Sequence, residues 1–180
     1  MASAALIVID MLNPYEHPDA DELAVNVEGI VDPLAKLIEG ALESDVELIY
    51  VNDNYGDFAA SRDDIVRRAV EGRHPELVEP LLPPDGCALL QKVRHSAFYS
   101  TSLAYLLRQR DVERLIIAGQ VTEQCILYSA LDAYVRHFSV SVPEDAVAPI
   151  DPELGGAALE MMRRNMRAEI LSASTALSRA

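Results

Sequence analysis

The thirty residues "RLIIAGQVTEQCILYSALDAYVRHFSVSVP", Arg114 to Pro143, decide how the chain must fold. They open with "RLIIAG", an uninterrupted apolar run rich in β-branched residues, the pattern of a strand covered on both faces. A turn follows at Gly119. "EQCILYSALDAYVRH" then carries apolar residues at helical spacing, and "FSVSVP" reads as a strand again. A buried strand, a crossover helix and a second strand make a right-handed βαβ unit, which implies a parallel sheet with helices packed against it.

The same alternation extends outward in both directions. "ALIVID", Ala5 to Asp10, is a first buried strand. Residues from about Leu23 to Leu42 show helical periodicity, with Pro33 marking a kink or break. "ELIYVN" is a second strand, "SRDDIVRRAV" a short helix, "PLLPPDG" a loop, and "CALLQK" a third strand. "STSLAYLLRQR" is a helix with Ser and Thr at its start. After the fifth strand come a helix in "DPELGGAALEMMRRNM", with Pro152 in its first turn, and a sixth, weaker strand in "AEILSAS". The expected fold is α/β: one domain over residues 1–180, three α/β/α layers, and a six-stranded, mainly parallel, Rossmann-like sheet.

Composition narrows the function. Half the residues are hydrophobic, enough for a sizeable core, and no stretch approaches the ~20 apolar residues of a membrane span. The N-terminal stretch has no basic region, and its apolar run ends at Asp10, so no secretory signal is expected. Two cysteines, Cys87 and Cys125, make no disulfide framework. A cytoplasmic protein with reduced thiols is the expectation. With 29 acidic against 15 basic side chains, the net charge of -14 would be repelled by phosphate backbones and argues against a nucleic-acid partner.

In open parallel sheets ligands bind beyond the carboxyl ends of the strands. Asp10 ends strand one, Asn52 to Asn54 end strand two, Lys92 ends strand three, and Cys125 follows Gly119 by six residues. Each has an ordinary alternative: Asp10 could cap a turn, Lys92 could be solvated, and Cys125 could be a buried small hydrophobe. Together they form a base, a charge stabiliser and a nucleophile at adjacent strand ends. At the opening of its helix, Cys125 would meet backbone N–H groups and a dipole that favour a thiolate. The four histidines, His17, His74, His95 and His137, show no ligand spacing; His95 could touch a substrate, but solvent exposure is the simpler expectation.

The stretches "ALIVIDMLNPY", "KVRHSAFYSTSLAYLLRQR" and "LIIAGQVTEQCILYSALDAYVRHFSVSVPEDAVA" resemble the isochorismatase-like cysteine hydrolase family, which includes nicotinamidases, N-carbamoylsarcosine amidases and isochorismatases. The most specific block is Gly-x-x-Thr-x-x-Cys followed by Ser-Ala-Leu-Asp-Ala and Glu-Asp-Ala. The resemblance implies a catalytic triad of Asp10, Lys92 and Cys125, a cis peptide between Gln120 and Val121, and an oxyanion hole from the N–H groups of Val121 and Cys125. Nicotinamidases carry an Asp-x-His pair after strand two to bind a metal; here the segment is "VNDNYGDF", with Tyr55 where the first histidine would stand. No metal and no cofactor are therefore expected. The expected activity is metal-independent hydrolysis of a C–N bond in a small molecule through a thioester. The alternatives are a vinyl-ether hydrolase using Asp10 and Lys92 alone, or a non-catalytic binding protein. Asn13, Tyr15, Asn54, Tyr55, Phe98 and Tyr99 are the expected substrate-binding residues. Relatives associate, and Leu127, Tyr128 and Leu131 give the nucleophile helix apolar character on more than one face, so a homo-oligomer is expected.

Overall fold

The computed structural model describes residues 3–178; the outermost residues of the expected 1–180 domain lie outside it. Seven parallel strands form the sheet: β1 (Ser3–Ile9), β2 (Glu47–Asp53), β3 (Ala88–Lys92), β4 (Val112–Gln120), β5 (Ser139–Pro143), β6 (Val147–Ala148) and β7 (Glu169–Leu171). Their order is β3-β2-β1-β4-β5-β7, with β6 pairing alongside the end of β4. The expected six strands are all present. The seventh, β6, has two residues and is too short to leave a pattern in the sequence.

The sheet grows from β1 in one direction through β2 and β3, and in the other through β4, β5 and β7. Strand order therefore reverses between β1 and β4, and a crevice opens there at the carboxyl ends. Alternation of side chains fills both sides of the sheet. Leu6, Val8, Leu48, Tyr50, Ile116 and Ala118 face one helical layer, and Ala5, Ile7, Ile9, Ile49, Leu115 and Ile117 face the other. Each Leu, Ile or Val among them, fully buried, contributes roughly 1.5–3 kcal/mol.

On the first face lie α1 (Ala20–Glu28), α2 (Val31–Leu42), α3 (Arg62–Val70), α4 (Pro75–Val78) and the short α8 (Ala173–Ala176). On the second lie α5 (Leu103–Gln109), α6 (Leu127–Val135) and α7 (Pro152–Asn165). The periodic stretch around Pro33 is two helices, broken at Gly29 and Ile30; Pro33 sits in the first turn of α2, where its missing N–H leaves no helical bond unmade. Ser61 and Asp64 cap α3 reciprocally, through Asp64 N–H to Ser61 Oγ at 3.2 Å and Ser61 N–H to Asp64 Oδ2 at 2.9 Å. At α5 the Thr101 hydroxyl accepts from Leu103 N–H at 3.3 Å. Among the described residues, no helix is long and apolar enough to cross a membrane.

Two close approaches shape the crevice. At Gly119, φ is 113°, and a Cβ there would collide with the backbone of Ile9, so only glycine lets β4 lie this near β1. Beyond it, the Gln120–Val121 peptide is cis.

Candidate active site

Asp10 follows the last residue of β1 with φ 55°, a left-handed conformation that aspartate tolerates better than most residues. Its backbone remains tied to the sheet rim: its N–H donates to Val51 O at 3.0 Å, and its carbonyl accepts from Gln120 Nε2 at 2.6 Å. The side chain then has both oxygens engaged. Oδ1 accepts from Asp53 N–H at 2.8 Å, and Oδ2 lies 2.7 Å from Lys92 Nζ. Lys92 ends β3 in register with Asp53 and is only 2% exposed. Its ammonium also lies 3.7 Å from Asp53 Oδ2 and 3.6 Å from Cys125 Sγ. Asp10 is 8% exposed and Cys125 7%.

Cys125 lies in a π-helical turn, Thr122–Ile126, that precedes α6. Ile126 N–H reaches back to Val121 O at 3.1 Å, the wide i to i−5 bond of such a turn, a form common at functional sites. This places Cys125 in the turn leading into α6. The Val121 backbone favours the ionised sulfur, and the neighbouring Asp10 disfavours it.

Asp10 and Asp53 share the single ammonium of Lys92, so ionising the thiol would add a further negative charge beside them. Burial pushes the Cys125 thiol well above the ordinary thiol range, and the Asp10 charge pushes it further; Lys92 only partly opposes them. At the helix opening the backbone N–H groups favour a thiolate, while desolvation and the Asp10 charge work against it. Burial likewise raises Asp10, with the Lys92 charge pulling the other way. For Lys92, burial favours loss of its proton, but the charges of Asp10, Cys125 and Asp53 outweigh it and hold the ammonium above its usual value. A thiol and a carboxylate whose proton affinities are both raised suit direct proton transfer between them.

A cavity of about 490 Å³ opens over these groups. Asp10, Lys92, Val121 and Cys125 all line it, as do Asn13 and Tyr55. The other four residues expected to bind substrate lie elsewhere. Tyr15 is completely buried, its hydroxyl 3.4 Å from Gln120 Oε1 and its ring edge-on to His74. Asn54 spends its side chain accepting from Gly56 N–H at 3.0 Å. Phe98 packs in the second core against Phe138, and Tyr99 projects outward, 56% exposed. Cys87 is half-buried, its thiol directed at Leu48 O, 3.3 Å away, and burial raises its pKa.

The structure also gives contacts to residues that the sequence placed only by position. Gln120 bridges Asp10 and Tyr15, and Asn52 clamps Leu12 through both its N–H, at 2.9 Å, and its carbonyl, at 3.0 Å. His95 is exposed, as expected, yet its Nδ1 lies 3.8 Å from Cys125 Sγ. The spacing Lys92-x-x-His95 was the available signal, but it acquires meaning only when the loop folds back over α6.

The donors near the rim do not suit a metal. Asp53 is committed to Lys92 and to Tyr55 N–H, the Tyr55 hydroxyl donates to Leu12 O, and His74 pairs with Glu76. Among the described residues, no group of three or more His, Cys, Asp or Glu side chains is arranged to hold a metal ion.

Fold and site together define a class: a doubly wound α/β domain with a thiol beside a Lys–Asp ion pair at its carboxyl rim. The model of the isochorismatase domain matches residues 4–175, and the chain belongs to the isochorismatase family. It is 36% identical, over 94% of its length and 93% of the relative's, to the isochorismatase family protein YaaI of Bacillus subtilis. It is 30% identical to the maleamate amidohydrolase of Pseudomonas putida, over 79% of this chain and 71% of that one. The N-carbamoylsarcosine amidase of Thermoplasma acidophilum superposes with a TM-score of 0.73 at 27% identity, covering 95% of this chain and 96% of that one.

Proposed function

We propose that this chain is a metal-independent cysteine hydrolase that cleaves the C–N bond of a small amide through a thioester on Cys125. The observation that carries the proposal is the linked cluster at the cavity floor: Asp10 Oδ2 2.7 Å from Lys92 Nζ, and Lys92 Nζ 3.6 Å from Cys125 Sγ. Asp10 takes the thiol proton as the sulfur attacks the amide carbon. Lys92 stabilises the negative charge as it passes from the Asp10 carboxylate to the sulfur and on to the carbonyl oxygen. The oxyanion is held by the N–H groups of Val121 and Cys125. As the tetrahedral species collapses, Asp10 gives its proton to the leaving amine, and the acyl group stays on sulfur until water releases it. Two relatives named as an amidohydrolase and an amidase support C–N chemistry, and the donors committed to other partners around Asp53 support a mechanism without metal.

The test is a panel of small amides, N-carbamoyl compounds and ureido acids, run on wild type and Cys125→Ala, each with and without chelator. Turnover in wild type that survives chelation and disappears in Cys125→Ala supports the proposal. Turnover that survives Cys125→Ala contradicts it and points to chemistry on Asp10 and Lys92 alone, as in vinyl-ether hydrolysis. Activity lost on chelation and restored by zinc or manganese would remove the metal-independent part.

A further inference from the structure

The triad leaves one polar group beside the sulfur without a task. His95 Nδ1 lies 3.8 Å from Cys125 Sγ, and it approaches from the rim, whereas Asp10 and Lys92 lie buried beneath. Its position is built. The His95 ring stacks on Tyr128 of α6, with centroids 5.6 Å apart and planes 25° apart. The next two residues are fastened to the same helix: the Ser96 hydroxyl donates to Asp132, and Ala97 N–H donates to Ser129 Oγ at 2.9 Å. A solvent-facing imidazole tied down on both sides is more than a loop side chain that happens to be near.

We infer that His95 is the base for the second half of the reaction, activating the water that hydrolyses the Cys125 thioester. This rests on the thioester reading above. Once the sulfur is acylated, the reacting carbon is bonded to it and lies within reach of Nδ1. Asp10 lies on the buried side of the sulfur, between Asp53 N–H and Lys92, whereas His95 Nδ1 stands on the exposed side. Water enters from the rim, past His95. With its proton on Nε2, the imidazole offers the Nδ1 lone pair to that water. One water O–H bond breaks, and its hydrogen goes to Nδ1. The water oxygen bonds to the acyl carbon, the C–S bond breaks, and the proton on Nδ1 passes to the departing sulfur. The products are the free acid and the Cys125 thiol, with no other reactant needed.

The experiment uses p-nitrophenyl acetate as an acylating probe. Release of p-nitrophenolate reports acylation, and acid-quenched mass spectrometry reports the acetyl group on the Cys125 peptide. In His95→Asn, with folding checked by circular dichroism, acylation should stay near the wild-type rate while deacetylation falls about a hundredfold, the usual scale of a positioned base. Acetyl-enzyme should accumulate, and added imidazole should speed its loss in His95→Ala. Equal slowing of both steps, or unchanged deacetylation, would overturn the role of His95 and leave the thioester reading standing. An acetyl group absent from Cys125 in wild type and both variants would overturn the thioester reading itself, and His95's role with it.

Discussion

Replacing Lys92 by methionine tests the electrostatic core of the site. The lysine is almost completely buried, 2.7 Å from one carboxylate and 3.7 Å from another. At an effective dielectric of about 20, its attraction to Asp10 alone is about 6 kcal/mol. Much of that is offset by the desolvation of both ions, so the expected net loss on breaking the pair is about 3–5 kcal/mol. A fold with about 5–15 kcal/mol of stability should survive it, with a lower denaturation midpoint. Protonation of the stranded Asp10 would limit the damage, and it would also remove the acceptor for the thiol proton. The same substitution should therefore lower kcat/KM by about a hundredfold or more. The two effects separate in the double variant Lys92→Met/Asp10→Asn, which should regain stability, having no stranded charge, and regain no activity. Lys92→Arg should rescue poorly, because a planar fork does not fit where a compact ammonium sat. Urea denaturation and steady-state kinetics on the four proteins provide the assay. A folded Lys92→Met protein with near-wild-type turnover, or with unchanged stability, would refute the reasoning.

Gly119→Ala should cost several kcal/mol, from about 1–3 for the positive φ and about 1–3 for overpacking against Ile9; a denaturation midpoint equal to wild type would show that β1 and β4 can separate. Because the folded Cys125 thiol holds its proton more tightly than an unfolded one, whose pKa is about 8.5, the unfolded chain releases that proton first as pH rises. Stability should therefore fall on the alkaline side, and less steeply in Cys125→Ala, Cys87 still contributing in the same direction; identical alkaline limbs would contradict the buried-thiol assignment. Tyr128, Leu131 and Val135 of α6 are exposed, and a second copy covering them predicts a light-scattering mass above 19.7 kDa; a monomer mass at micromolar concentration would count against association.

The strand ends were legible because buried parallel strands are written as continuous apolar runs, so the first polar residue after each run falls on the rim. That logic located Asp10 directly and put Lys92, one residue past Gln91, and Cys125, six past Gly119, near the same rim; the structure brings the three together. It could not sort the residues just beyond. Tyr15 and Tyr55 both follow strands and look alike in sequence, yet one is sealed beneath Gln120 and the other faces the cavity. The protonation of Cys125 was illegible for another reason: a helix opening argues for a thiolate, while the opposing term, desolvation beside a carboxylate, exists only after β1, β3 and the turn before α6 assemble. His95 could be named as near a substrate but not placed beside the sulfur, because the ties that hold its loop span more than thirty residues, from Ser96 to Asp132 and from Ala97 to Ser129.

The central claim is that an acyl group passes through Cys125. Once the amide panel yields a substrate, the direct measurement is acid quenching during turnover, followed by mass spectrometry of the peptide carrying Cys125. The account predicts an adduct with the mass of the substrate's acyl portion, present in wild type, enriched in His95→Asn and absent in Cys125→Ala. Turnover with an unmodified Cys125 peptide at every quench time, undiminished in Cys125→Ala, would contradict it.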